Sequence, residues 1–206
     1  MGHDDPWRAT PTDEEDMTLS SYLVLLRGIN VGGRNRVPMA PLRSLLEGLG
    51  YAKVATYIAS GNILLAADRP PDEIQRQIEA ALPATFRLDS DVVRALALTQ
   101  AQLQAIVDDR PAGFGEQPDL YQSDAIFLIG ITAETAMHVF DPRPGVDRVW
   151  PGNGVIYSQR LSAERTRSRL NKIVGTPAYR SMTIRSWSTT MALNALMANH
   201  AGDSPR

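Results

Sequence analysis

The run Tyr22-Leu-Val-Leu-Leu26, continued by Arg27-Gly-Ile-Asn-Val-Gly-Gly-Arg-Asn-Arg36 and then by Pro38 to Gly50, decides how the chain begins to fold. Five successive apolar residues without alternation fit a strand covered on both faces or lying at a sheet centre. Gly28 ends it. Pro38 opens a helix, because a first-turn residue needs no intrahelical donor, and Leu42, Leu45, Leu46 and Leu49 recur on one face before Gly50 caps its end. Val54 to Ile58 and Ile63 to Ala66 flank Ala59-Ser-Gly-Asn62 as a hairpin. Pro71, Asp72 and Glu73 then start a helix with Ile74, Ile78, Ala81 and Leu82 on one face, and Val92 to Leu98 is a fourth strand. Strand, helix, hairpin, helix and strand in that order make the ferredoxin-like split arrangement.

The second half repeats the plan less cleanly. Thr99 caps a helix bearing Leu103, Ile106 and Val107, which Arg110-Pro111 ends. Ala125 to Ile129 reads as a buried strand and Thr132 as the cap of a helix through Phe140. Val146 to Trp150 and Val155 to Ser158 flank Pro151-Gly-Asn-Gly154, where Asn153-Gly154 is the strongest short-range hairpin signal in the chain. A further helix turns Leu170, Ile173 and Val174 inward and ends at Gly175. Thr183 to Arg185 is extended, and Ser188 caps a last helix with Leu193, Leu196 and Met197 inward. The expectation is an α+β protein of two ferredoxin-like lobes, residues 19–98 and 99–200, between a disordered acidic tail (1–18) and a frayed end (201–206). Met17 is a candidate start.

Composition narrows the classes. The 206 residues include no cysteine, which removes disulfides, thiolate metal sites and a cysteine nucleophile. No apolar run approaches the roughly 20 residues of a membrane helix. The first residues carry Asp4, Asp5, Asp13, Glu14, Glu15 and Asp16 rather than a basic then apolar leader, so a cytoplasmic location without membrane contact is expected. The net charge of −2 hides two basic islands. Arg27, Arg34, Arg36 and Arg43 stand without an intervening acid. Arg160, Arg165, Arg167, Arg169, Lys172, Arg180 and Arg185 stand against Glu164 alone. Such islands in an acidic chain fit either arginines in solvent or a local anionic partner.

Three blocks then carry a likeness: Leu25 to Met39, Thr56 to Asn62, and Ser168 to Pro177 with Met182 to Trp187. Together they resemble the bacterial family named domain of unknown function 1697, over roughly residues 20–198. The resemblance implies a pair of ferredoxin-like lobes and no activity. The acidic start and Pro41 depart from the family pattern without touching the blocks.

The chemistry is sparse. His3, His138 and His200 have no metal-ligand spacing, and no catalytic triad can be assembled around them, so neither a metal, a cofactor nor any catalytic residue is assigned. The loop from Arg27 to Arg36 follows a strand and precedes a helix but lacks both phosphate-loop spacings. Gly32 and Gly33 permit a nest of N–H donors, and Arg27, Arg34 and Arg36 can grip a phosphate or carboxylate, with Asn30 and Asn35 beside them. Alternatively these glycines only turn a long loop. Ser60 and Asn62 offer a hydroxyl and an amide at the hairpin tip, where both are also ordinary turn residues. Arg169 and Lys172, spaced with Arg165 as a helical stripe, complete the candidate site. The leading expectation is a binding protein or enzyme for a small anionic, phosphate-bearing ligand held between the Arg27 loop and the Arg169 helix. An RNA or single-stranded DNA module and an interaction protein with an acidic partner are the alternatives.

Overall fold

The computed structural model describes residues 19–89 and 93–202. The acidic tail expected at residues 1–18 lies outside them, as do residues 203–206. The first sheet comprises β1 (Ser20–Arg27), β2 (Ala52–Tyr57), β3 (Asn62–Ala67) and β4 (Arg94–Thr99) in the order β2-β3-β1-β4, all pairs antiparallel. Helix α1 (Met39–Gly48) joins β1 to β2, and α2 (Pro71–Thr85) joins β3 to β4. After α3 (Gln100–Asp108) the second sheet repeats that order: β5 (Tyr121–Leu128), β6 (Asp147–Pro151), β7 (Val155–Leu161) and β8 (Met182–Ser186) run β6-β7-β5-β8. Helix α4 (Ala133–Met137) occupies the place of α1, and α5 (Trp187–Gly202) follows β8.

The unalternating apolar run of β1 has a direct cause. The strand is central, and successive side chains point to opposite faces. Tyr22, Val24 and Leu26 enter a core with Leu42 and Leu46 of α1 and Ile74, Ile78 and Leu82 of α2. Leu23 and Leu25 enter a second core, which the two sheets share. There Leu64 and Leu98 of the first sheet meet Phe127 and Tyr157 of the second, with α3 and α5 filling the space between. Phe114 seals this core edge-on to Tyr157 and Trp187, with centroids 5.2 and 5.0 Å apart. The Tyr157 hydroxyl donates to the Ile106 carbonyl at 2.7 Å, so this buried polar tip has its partner. The sheets therefore stand with one face on their own helices and the other on common ground.

Local signals hold where the chemistry is local. Thr99 and Gln102 form a reciprocal capping box at α3. Thr132 caps α4. Gly154 takes the left-handed φ of +72° that its hairpin turn needs, with Gly152 N–H donating to Val155 O at 2.8 Å.

Other expectations are corrected. Residues 165–175 form no α-helix. Three-ten turns run Ser162–Glu164, Leu170–Gly175 and Pro177–Ser181 where the first lobe has α2. The Arg169 N–H is turned onto Asp147 Oδ2 at 2.8 Å, a tertiary bond that takes a donor away from any helical ladder, and Val174 is exposed. Burial alone would raise the Asp147 pKa, but the N–H donors of Arg169 and Arg143 hold it below its ordinary value. Helix α4 stops at Met137, not Phe140, because Val139 and Phe140 bond three residues back and tighten the turn. Ser186, not Ser188, supplies the Oγ that accepts from Thr189 N–H at the start of α5, and Leu196, expected inward, is exposed. His200 lies within α5, its ring nitrogens 3.1 Å from Ser21 Oγ and 2.8 Å from Lys53 O. Ile58 leaves β2 and adopts a left-handed φ of +48° at the hairpin turn.

Candidate functional site

The basic loop after β1 is built by its asparagines. Asn30 Nδ2 donates to Val37 O at 2.9 Å and to Ala59 O at 3.0 Å, and its Oδ1 accepts from Val37 N–H. The loop is thereby pinned to itself and to the β2–β3 turn. Buried Asn35 donates to Gly28 O at 2.6 Å and exchanges two further bonds with Asp89. Gly32 and Gly33, at φ +58° and +77°, make a tight turn closed by Arg34 N–H on Val31 O at 3.0 Å. Two left-handed residues in succession need glycine, and this accounts for both positions. Arg34 and Arg36 are exposed.

Arg27 points the other way, toward the second lobe. Its Nε donates to Met182 O at 3.0 Å and Tyr179 O at 3.2 Å, and its guanidinium lies 5.1 Å from the Tyr179 ring centroid. Burial holds its pKa below the ordinary value, and the positive charges of Arg180 and Arg94 push the same way against the opposing effect of Tyr179.

Behind Arg27 lies Arg185, only 7% exposed. Its Nε donates to Asn62 Oδ1, its Nη1 to Thr183 Oγ1 at 2.9 Å and Ile184 O at 2.8 Å, and its Nη2 to Leu26 O and Ser60 O, both at 2.9 Å. All five N–H bonds end on uncharged oxygens, and no carboxylate among the described residues pairs with it. Burial drives its pKa down to about 10. Asn62 is fully buried and spends its amide on Tyr57 O and Ser60 Oγ while accepting from Arg185. Asn62 therefore holds the arginine, whereas Ser60 stands at the surface of the cleft with a hydroxyl hydrogen to offer.

These groups frame a cleft of about 350 Å³ between the lobes, lined by Arg27, Asn30, Ser60, Thr183 and Arg185. Arg27 and Tyr179 also line a neighbouring space of about 510 Å³ that reaches Val174, Thr176 and Arg180. Two larger cavities, about 660 Å³ beside Leu98 and Tyr157 and about 570 Å³ beside Phe114 and Trp187, gather no such set of cations. The sequence-level site is thus divided. Arg27, Asn30 and Ser60 line the cleft, Asn62 supports it, and Gly32, Gly33 and Asn35 shape the loop. Arg34 and Arg36 line neither the cleft nor the neighbouring space.

Arg169 and Lys172 do not line it either. Both pair with Asp141, at 3.0 and 3.1 Å. The hydrogen bond from Lys172 leads the effects that hold the Asp141 carboxyl below its ordinary pKa. Tyr179, Arg180, Thr183 and Arg185 take the place expected for the Arg169 helix. The signal for them was the Met182 to Trp187 block and the basic count around Arg180, both of which point at residues C-terminal to the stripe.

Two antiparallel sheets of one strand order, joined through a shared core with an arginine-floored cleft between them, define a duplicated ferredoxin-like α+β protein. The chain belongs to the family described as Protein of unknown function (DUF1697), whose model matches residues 19–157. That span ends inside β7, before the Ser168 and Met182 blocks. Among solved structures, the chain is similar to the conserved bacterial protein SP0830 from Streptococcus pneumoniae, at 25% identity and a TM-score of 0.74, over 87% of this chain and 99% of that one. No curated protein matches.

Proposed function

We propose that the interlobe cleft binds a small anionic ligand, with a phosphate or carboxylate group directed at Arg27, Arg180 and the field of Arg185. The observation that carries this reading is the buried Arg185 guanidinium. Its N–H donors are satisfied, yet its charge is uncompensated, and burying an unpaired charge is costly. An anion in the cleft would offset it. Arg180 in the adjoining space adds a second cation, and Ser60 a neutral donor. Backbone strain supports the same place: Asn30 and Ile58 both hold left-handed φ on the two loops that border the cleft.

A nucleic-acid module of the ferredoxin-like kind needs a free sheet face with exposed aromatics. Tyr22 of β1 lies in the buried core and every residue of β3 is buried, so the first sheet offers no stacking platform. A cytoplasmic binding protein remains the reading favoured here over an acidic macromolecular partner, because the cationic floor is recessed.

The test is calorimetry and thermal shift with inorganic phosphate, phosphate monoesters and carboxylates. A ligand at 100 times its dissociation constant adds about 2.7 kcal/mol of stability. Arg180→Ala should weaken binding about tenfold or more. A single enclosed anion should lose little affinity between low and moderate salt, whereas steep salt dependence would indicate a polyanion. Absence of binding by every anion in the screen would overturn the proposal.

A further inference from the structure

We infer that the cleft's ligand is an amphiphilic anion: one anionic group joined to an aliphatic or aromatic body, the anion facing the arginines and the carbon skeleton lying on Val31, Val174 and Ile184. This rests on the anion-binding reading of the same cleft and narrows it. Eight large apolar side chains are exposed among the described residues. Val31 (66% exposed) and Ile184 (37%) line the cleft, and Val174 (56%) lines the neighbouring space on the other side of the wall that Arg27 and Tyr179 share. Ile58 (53%) directly precedes Ala59 and Ser60, which line the cleft as well.

Single exposed apolar residues are ordinary on any surface. Here three of the eight line the cleft or the space beside it, and they come from three separate segments, the basic loop, a three-ten turn and β8, with Ile58 on the bordering β2–β3 turn. Tertiary folding alone has brought them together around a polar floor. Ile58 is also β-branched at φ +48°, a conformation such residues adopt only under constraint.

A fully hydrophilic anion gains nothing from that rim. A body of carbon attached to the anion would cover it, and spaces of about 350 and 510 Å³ are in the range of small-ligand sites. A flat acidic partner fits less well, since Arg185 lies at the floor and exposed apolar side chains stand around it.

The experiment is isothermal titration of the full chain with inorganic phosphate and with methyl, butyl and hexyl phosphate at one ionic strength, with hexanol as the uncharged control. Affinity should tighten along the series by up to about fourfold per methylene until the rim is covered. The double variant Val31→Ser, Val174→Ser should lose this dependence on chain length while melting as the wild type does. Equal affinity for inorganic and hexyl phosphate would overturn the amphiphile and leave the anion site standing. Hexanol binding as tightly as hexyl phosphate would overturn the role of the charge. No binding by any phosphate or carboxylate would overturn the underlying anion reading too.

Discussion

Arg185 Nη2 donates to the carbonyl of Leu26 at 2.9 Å, joining residues 159 positions apart and tying the last strand of the second sheet to the end of the central strand of the first. The same guanidinium reaches Ser60 O and Asn62 Oδ1, so one side chain satisfies acceptors from β1, the β2–β3 turn and β3. Its position makes it both a clasp between lobes and the floor of the cleft.

Arg185→Met should therefore destabilise the protein by about 3 kcal/mol or more, because Ser60 O and Asn62 Oδ1 lose the guanidinium together and Leu26 O keeps only the long contact from the Thr183 hydroxyl at 3.4 Å. Arg185→Lys should rescue little, since an ammonium has three donors and no planar fork to reach five acceptors. Urea unfolding of both variants is the measurement. A cost below about 1 kcal/mol for the Met variant would show the network to be dispensable.

The Tyr157 phenol titrates late. Burial, with a smaller contribution from Asp109, pushes its pKa up to about 12. A folded pKa above the unfolded one means that the stabilisation is complete below about pH 10 and is lost as pH rises toward about 12, the unfolded chain shedding its proton first. Tyr157→Phe should remove this part of the alkaline loss. It should also cost about 1 kcal/mol or more at neutral pH, since the Ile106 carbonyl would be left without its donor. Denaturation curves at neutral and alkaline pH, run on both proteins, separate the two effects.

Arg169→Ala and Lys172→Ala should leave anion binding at wild-type affinity. Their partner is Asp141 on the surface, and exposed ion pairs contribute little to stability. Binding and melting measured beside Arg27→Met and Arg180→Ala give the contrast. A marked loss of affinity in the Arg169 or Lys172 variant would return these residues to the site.

Gly154→Val should cost about 1 kcal/mol or more, because a β-branched residue is strained at φ +72° even though no neighbouring atom lies within 4 Å of the added Cβ. The cost should appear in the unfolding free energy and not in anion binding, as Gly154 lies away from the cleft. A thermally neutral substitution would mean that the turn relaxes to another type.

Much of the fold was legible because it depends on near neighbours. The unalternating β1 run, the α1 and α2 faces, the Thr99 and Thr132 caps and the Asn153-Gly154 turn each record a choice made within a few residues of chain. The sequence by itself therefore determined the strand–helix–hairpin plan of the first lobe, its repetition in the second, and a loop bearing Arg27 that turns at Gly32 and Gly33. Only the tertiary structure decided which cations meet. Helical spacing placed Arg169 and Lys172 on one stripe, but the Arg169 N–H is taken by Asp147 and both side chains are taken by Asp141. Arg185 gave no periodic signal, and its role follows from β8 lying where its guanidinium can reach Leu26 and Asn62. Periodicity reports the face a residue occupies on its own element, whereas a site between lobes depends on contacts more than a hundred residues apart, which no local pattern encodes.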